Sequence, residues 1–259
     1  MTDAKVAADK VIEVAVGVIY GESRATVLLS SRPEGKVYAG WWEFPGGKLE
    51  AGETPAQALA RELREELAIE ARDIRPWFVM EHVYPHGHVR VHFMRVFAFD
   101  TAAGIEALEG QRFAWVDLKG LEAYERLLPM VEIVVRRAFL PDVLLLSGDT
   151  VRDWKKALAF ALPQSAAVAG LSKPAASLAA EFALTRIADA GVAITGPEEA
   201  RLALSQEVLF GLVRPECVDA LQHPRLPCYV VVEADRAEDY VQRIEELQRS
   251  GLQGVAVQF

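Results

Sequence analysis

The chain has 259 residues, 51% hydrophobic and 25% charged, as expected of a globular protein with room for one large or two small domains. It has no run of 18 apolar residues, so no membrane-spanning helix is expected, and the opening MTDAKVAADKVIEV has no apolar signal core, so a cytoplasmic location is expected. A net charge of −9 argues against nucleic acid as a partner, but not against a nucleotide whose charge metal ions can offset.

In chain order, Val11–Ile19 reads as a mostly buried strand and Thr26–Ser31 as its hairpin partner, around the polar turn Glu22-Ser23-Arg24. Arg32-Pro33-Glu34-Gly35 breaks the pattern. Val37–Pro45 follows with three aromatics close together, Trp41, Trp42 and Phe44, which suit either a core or the wall of a nucleobase pocket.

The next stretch is GGKLEAGETPAQALARELREELAI, Gly46 to Ile69. Thr54 suits a helix N-cap, Pro55 the first helical position, and Gln57 closes a capping box. Ala56–Leu67 contains no glycine, proline or β-branched residue. Leu59, Leu63 and Leu67 make one apolar stripe. Glu62, Glu65 and Glu66 fall at i, i+3 and i+4, where like charges repel and weaken a bare helix. A divalent cation among them removes that penalty, and oxygen-only ligands select a hard ion, Mg²⁺ or Mn²⁺.

Further on, Trp77–Tyr84 and Val89–Phe99 read as strands around a Pro85–His88 turn. In the second, Val89, Val91, Phe93, Phe97 and Phe99 point to a single buried face. His82, His86, His88 and His92 gather here, but no cysteine or carboxylate is spaced with them, so a zinc site is not expected. Glu106–Gln111 reads as a loop, Phe113–Val116 as a strand, and Asp117 to Phe139 as a helical region. Beyond Pro141 the pattern changes. Short apolar runs at Val143–Leu146, Ala166–Ala169, Val192–Thr195, Val208–Val213, Tyr229–Val232 and Val255–Val257 alternate with helix-like Val151–Ala161, Lys173–Ala190 and Ala237–Ser250. That alternation predicts a parallel α/β unit, with a domain boundary near 138–142. Cys217 and Cys228 are expected to be free thiols.

Gly46–Ile69 resembles the Nudix box, G-x5-E-x7-R-E-U-x-E-E-x-G-U with U apolar, at every fixed position but one: Ala68 stands where the motif has glycine. The resemblance is to the MutT type and extends over Val11–Val135, through VAVGVI, SSRP, WEFPGGK, the EGQ of Glu109–Gln111 and the Trp115 strand. It implies a mixed α/β fold, an α/β/α sandwich over residues 1–139; the alternation beyond Pro141 predicts a βα-repeat domain over 140–259. The implied activity is cation-dependent hydrolysis of a nucleoside triphosphate, an oxidised purine dNTP, to dNMP and pyrophosphate. Such an enzyme sanitises the nucleotide pool in support of DNA repair. Two alternatives are another nucleoside diphosphate-X substrate and a non-catalytic nucleotide sensor.

The resemblance implies Glu62, Glu65 and Glu66 as metal ligands, aided by a backbone carbonyl of Gly46 or Gly47. It implies Glu109 as general base or further ligand, Glu53 and Arg61 as an orienting pair, and Arg32 and Lys48 at the phosphates. Trp42 and Phe44 are the stacking candidates. MutT enzymes that prefer the oxidised guanine nucleotide use an Asn near the last helix, and Leu127–Glu132 has none. A left-handed alanine costs on the order of 1 kcal/mol, so the box helix is expected to end one residue differently at Ala68. The C-terminal part resembles thiamine-phosphate-synthase-like domains in VLLLSGD, GVAITGPEEA and the terminal LPCYVVVEA and GLQGVAVQF. It is short for a full barrel, which takes roughly 200 residues, and has Val232-Glu233-Ala234-Asp235 where that family has a glycine-rich phosphate loop. No synthase activity is expected of it.

Overall fold

The computed structural model describes residues 11–84, 87–147, 158–161, 186–187, 191–193, 210–215, 218 and 224–258. Cys217, His86 and the Ala166–Ala169 run lie outside them, as does most of Lys173–Ala190. The chain divides into two compact units, one formed by residues up to Ile74 with Val79–Val131, the other by Arg75–Phe78 with Glu132–Phe259.

The first unit holds β1 (Ile12–Ile19), β2 (Val27–Ser31), β3 (Trp42–Glu43), β4 (Gly46–Lys48), helix α1 (Pro55–Leu67), β5 (Glu70–Tyr84), β6 (Gly87–Asp100) and β7 (Phe113–Val116). One mixed sheet runs β4-β1-β6-β5 and a second runs β3-β2-β7. β1 pairs in parallel with β6 from Ile12↔Val89 to Ile19↔Val96 and antiparallel with β4. Ala58, Leu59, Leu63 and Leu67 of α1 form one buried cluster with Ala15, Ile19, Leu28, Met94 and Val96, so the apolar stripe holds the helix on the sheet.

Five sequence expectations change here or in the second unit. β2 is not the sheet partner of β1: it pairs antiparallel with β3 and β7 and meets the end of the first strand only at the Tyr20↔Val27 bridge. β6 lies between β1 and β5, and Phe93–Val96 are all buried, so both its faces are covered. The region after Asp117 is a 3₁₀ turn at Gly120–Ala123 followed by helix α2 (Val131–Ala138). Between them the main chain leaves the helix to bond Trp42, through Trp42 N–H to Arg126 O at 2.7 Å and Leu128 N–H to Trp42 O at 3.0 Å. Ala237–Ser250 is two helices, α3 (Ala237–Gln242) and α4 (Ile244–Arg249), interrupted at Arg243, whose backbone departs to φ −103 and ψ 16.

The second unit carries a seven-stranded sheet in the order β10-β9-β8-β14-β13-β12-β11. Its strands are β8 (Val143–Ser147), β9 (Leu158–Ala161), β10 (Arg186–Ile187), β11 (Gly191–Ala193), β12 (Phe210–Val213), β13 (Cys228–Glu233) and β14 (Gly254–Gln258). β11 through β8 pair in parallel, as the continuous apolar runs predict. β9 and β10 are antiparallel, so the ends of two segments read as helices, at 158–161 and 186–187, are strands. A short apolar run such as Leu158–Ala161 cannot be told from buried helix by periodicity alone. Tyr229, Phe210, Leu144, Leu212 and Ala256 form the core cluster. Cys228 is a buried free thiol, pushed up to about 12 by burial. Among the described residues no helix is long and apolar enough to cross a membrane.

Candidate active site

The site is built on α1 and the two loops beside it. Thr54 caps the helix: Gln57 N–H donates to its hydroxyl at 3.3 Å and the Gln57 side chain accepts from Thr54 N–H at 2.9 Å. At the other end Ala68 does take the left-handed conformation, φ 55 and ψ 30, correcting the expectation that the helix ends differently. Ala68 N–H donates to Arg64 O at 3.2 Å and Ile69 N–H to Leu63 O at 3.1 Å. Ile69 is fully buried in the α1 cluster, and that anchorage offsets the strain of a left-handed alanine.

Arg61 organises the acidic face. Its Nε and Nη2 clasp both carboxylate oxygens of Glu53 at 2.8 and 2.9 Å. Nη1 donates to Glu62 at 2.9 Å and to Glu65 at 3.2 Å, and Nη2 also reaches the carbonyl of Lys48 at 3.0 Å. The Arg61 clasp, aided by the Glu50 N–H, holds the Glu53 carboxyl down at about 2, while Glu53 raises the Arg61 guanidinium above its ordinary value.

β4 brings the main chain against these carboxylates. A Cβ at Gly47 would lie 2.2 Å from the Glu62 carboxyl group, so a side chain there would push that carboxyl out of its present place. Gly46 sits at φ +142, and a Cβ there would strike Ala15 O at 2.2 Å, so glycine is also what lets β4 pair with β1. Gly46 N–H donates to Glu66 at 3.3 Å. Glu66 is pushed up to about 7, chiefly by burial, with the Glu62 and Glu109 charges adding to the rise and Gly46 N–H and Lys36 opposing it.

The loop before β7 is tied to the end of α1. Leu108 N–H donates to Glu66 O at 2.9 Å and Gln111 Nε2 to the same carbonyl at 2.7 Å, while Gln111 Oε1 accepts from Glu109 N–H at 2.9 Å. Glu109 is thereby set beside Glu66, and its carboxylate pairs with Lys36 Nζ at 2.9 Å. Among the described residues no three His, Cys, Asp or Glu side chains converge at metal-ligand distances. Arg61 stands between Glu53, Glu62 and Glu65, and Lys36 holds Glu109. The donor set is nevertheless that of a hard cation. It is all oxygen, it sets Glu62, Glu65 and Glu66 on one helix face, and it faces a main chain without side chains at Gly46 and Gly47.

The other predicted residues fall as follows. Arg32 spends two donors within its own loop, on Glu43 Oε2 at 2.5 Å and the Val37 carbonyl at 2.6 Å. Burial raises the Glu43 carboxyl, against the pull of Arg32. The Lys48 side chain is exposed while its carbonyl serves Arg61. Phe44 is buried in the core at 5% exposure. Trp42 is half-buried, edge-on to Tyr124 at 5.0 Å with the Arg112 guanidinium 5.3 Å from its ring centre. Of the histidines, His88 pairs with Glu81 at 3.3 Å and His92 with Glu13 at 2.5 Å. Nothing in the sequence marks Lys36 as reaching Glu109, or Gln111 as reaching the Glu66 carbonyl, because those partners lie far along the chain.

The NUDIX domain family model matches residues 15–135. An 8-oxo-dGTP diphosphatase of Haemophilus influenzae is 39% identical over 114 residues, 44% of this chain and 82% of that protein. The chain belongs to the Nudix family. Another 8-oxo-dGTP diphosphatase, from Escherichia coli K12, is 35% identical over 114 residues, 44% of this chain and 86% of that one. A CTP pyrophosphohydrolase from the same organism is 37% identical over 136 residues, 51% of this chain and 93% of its own length. The Nudix match of residues 15–135 contains α1, β4 and the Glu109 loop, and so the whole acidic face described above. The chain is accordingly a Nudix hydrolase of the MutT type.

Proposed function

We propose that the chain is a divalent-cation-dependent pyrophosphohydrolase that cuts a nucleoside triphosphate into monophosphate and pyrophosphate, with residues 1–139 as its catalytic domain. The observation that carries this reading is the Arg61-organised acidic face. Glu53, Glu62 and Glu65 are fixed by one guanidinium, and Glu66 and Glu109 lie beside them. Glu62, Glu65 and Glu66 would hold Mg²⁺ or Mn²⁺, with a main-chain oxygen of Gly46 or Gly47 added. Bound there, the ion supplies the positive charge that offsets charge developing on the phosphoryl oxygens. The oxygen of a water attacks the α- or β-phosphorus, the bond from that phosphorus to the oxygen bridging the two breaks so that monophosphate and pyrophosphate separate, and the water's proton passes to a carboxylate. Glu109 is that carboxylate, or else a further ligand. Glu53 steers Arg61 and, through it, Glu62 and Glu65.

An oxidised purine nucleotide is the substrate that the two 8-oxo-dGTP diphosphatases support. The CTP pyrophosphohydrolase, matched over 93% of its length, supports a pyrimidine instead. Leu127–Glu132 has no Asn to read a base edge, and stacking on Trp42 alone discriminates poorly between bases. A smaller preference for the oxidised nucleotide than in enzymes carrying that Asn is therefore expected. The deciding measurement is kcat/KM for 8-oxo-dGTP against dGTP, dATP, dCTP and CTP, with monophosphate and pyrophosphate quantified. A ratio at or below one against any of them removes the oxidised-guanine role; no hydrolysis of the whole panel removes the reading.

A further inference from the structure

Lys36 lies on the loop between β2 and β3. That loop is closed on itself: Arg32 N–H donates to Trp41 O at 2.8 Å, Gly40 N–H to Arg32 O at 2.9 Å, and the Arg32 side chain holds Val37 O and Glu43. Two of the five Arg32 N–H donors thus shape the loop. Gly35, at φ +84, turns the chain just before Lys36, and the Lys36 ammonium reaches Glu109, 73 residues away, at 2.9 Å. Its field extends to Glu66. Both partners are substantially exposed, with side chains at 51% and 41%. An exposed pair of this kind contributes little to stability and is readily exchanged for another partner. A lysine is a compact point charge on a flexible stem, suited to following an anion. One oxygen of Glu109 is engaged by Lys36, while the Glu109 charge is already felt at Glu66.

We infer that Lys36 is the loop cation that meets the phosphate tail of the nucleotide and, in turning to it, releases Glu109 to the acidic face. The inference rests on the pyrophosphohydrolase reading for its chemistry. Lys36 touches substrate, and Glu109 changes partner from an ammonium to the reacting assembly.

The test uses the full chain as wild type, Lys36→Ala and Lys36→Arg, with two readouts. The first is steady-state kinetics on the best nucleotide of the panel with Mg²⁺. The second is calorimetric binding of inorganic tripolyphosphate. Losing one charge-assisted phosphate contact should weaken tripolyphosphate binding and raise KM about 10- to 100-fold in Lys36→Ala. Lys36→Arg should recover most of both, and the melting temperature should stay unchanged. KM and affinity of Lys36→Ala within about twofold of wild type would overturn the inference while leaving the hydrolase reading intact. Equal impairment of the alanine and arginine variants overturns it too, since it would show a role in loop shape. Wild type that binds tripolyphosphate through Lys36 yet hydrolyses no nucleotide keeps the inference and removes the hydrolase reading. Wild type that binds no tripolyphosphate overturns the inference outright.

Discussion

The two units handle buried polarity in opposite ways. Around α1, charged groups sit half in water and share partners: Arg61 serves Glu53, Glu62, Glu65 and a carbonyl, and Lys36 serves Glu109. In the second unit two buried neutral amides do the bridging. Gln248, 1% exposed, accepts from Arg75 at 2.6 Å and donates to Asp142 at 2.7 Å and to Gln253 O at 3.1 Å. Gln253 in turn accepts from Trp77 Nε1 at 2.8 Å and donates to Leu140 O at 3.0 Å. Buried neutral amides with every group paired hold one arrangement. Crowded half-exposed carboxylates exchange partners easily and invite a cation. The first pattern suits a scaffold and the second suits chemistry on a charged substrate.

The largest expected effect breaks the comparison on the chemical side. Glu62→Gln and Glu65→Gln should each lower turnover about 10²–10³-fold, the cost of losing one charge-stabilising contact in the transition state. Their melting temperatures should stay near that of wild type, because Glu65 is exposed and glutamine at 62 keeps the shape of the side chain and an oxygen for Arg61. Near-normal turnover under saturating Mg²⁺ would remove these residues from the cation site.

A middle-sized effect belongs to the scaffold. Gln248→Ala removes an acceptor from Arg75, itself 3% exposed, and should lower stability by about 1–3 kcal/mol. Urea denaturation reads the loss, while kcat/KM per folded molecule should hold. Loss of turnover without loss of stability would show that this network serves the chemistry after all.

The smallest effect sharpens the comparison. Ala68→Gly relieves the left-handed alanine at the end of α1 and should raise stability by about 1 kcal/mol or less, with turnover unchanged. A lower melting temperature would mean that the Ala68 methyl group packs usefully.

What the sequence determined by itself is what depends on near neighbours. The capping box at Thr54–Gln57, the leucine stripe and the i, i+3, i+4 spacing of Glu62, Glu65 and Glu66 all follow from the period of one helix. The parallel strands β12, β13 and β14 were legible as continuous apolar runs, since a strand buried on both faces needs no alternation. Tertiary structure decided the rest. Lys36 meets Glu109 across 73 residues, and Gln248 meets Arg75 across 173. No local pattern marks such pairs, because their partners are supplied by how loops and sheets close. Ala68 is left-handed because Ile69 beyond it is buried, and β9 is a strand because β8 offers it an edge. In both, packing or pairing against a distant part of the chain outweighs a local preference worth about 1 kcal/mol.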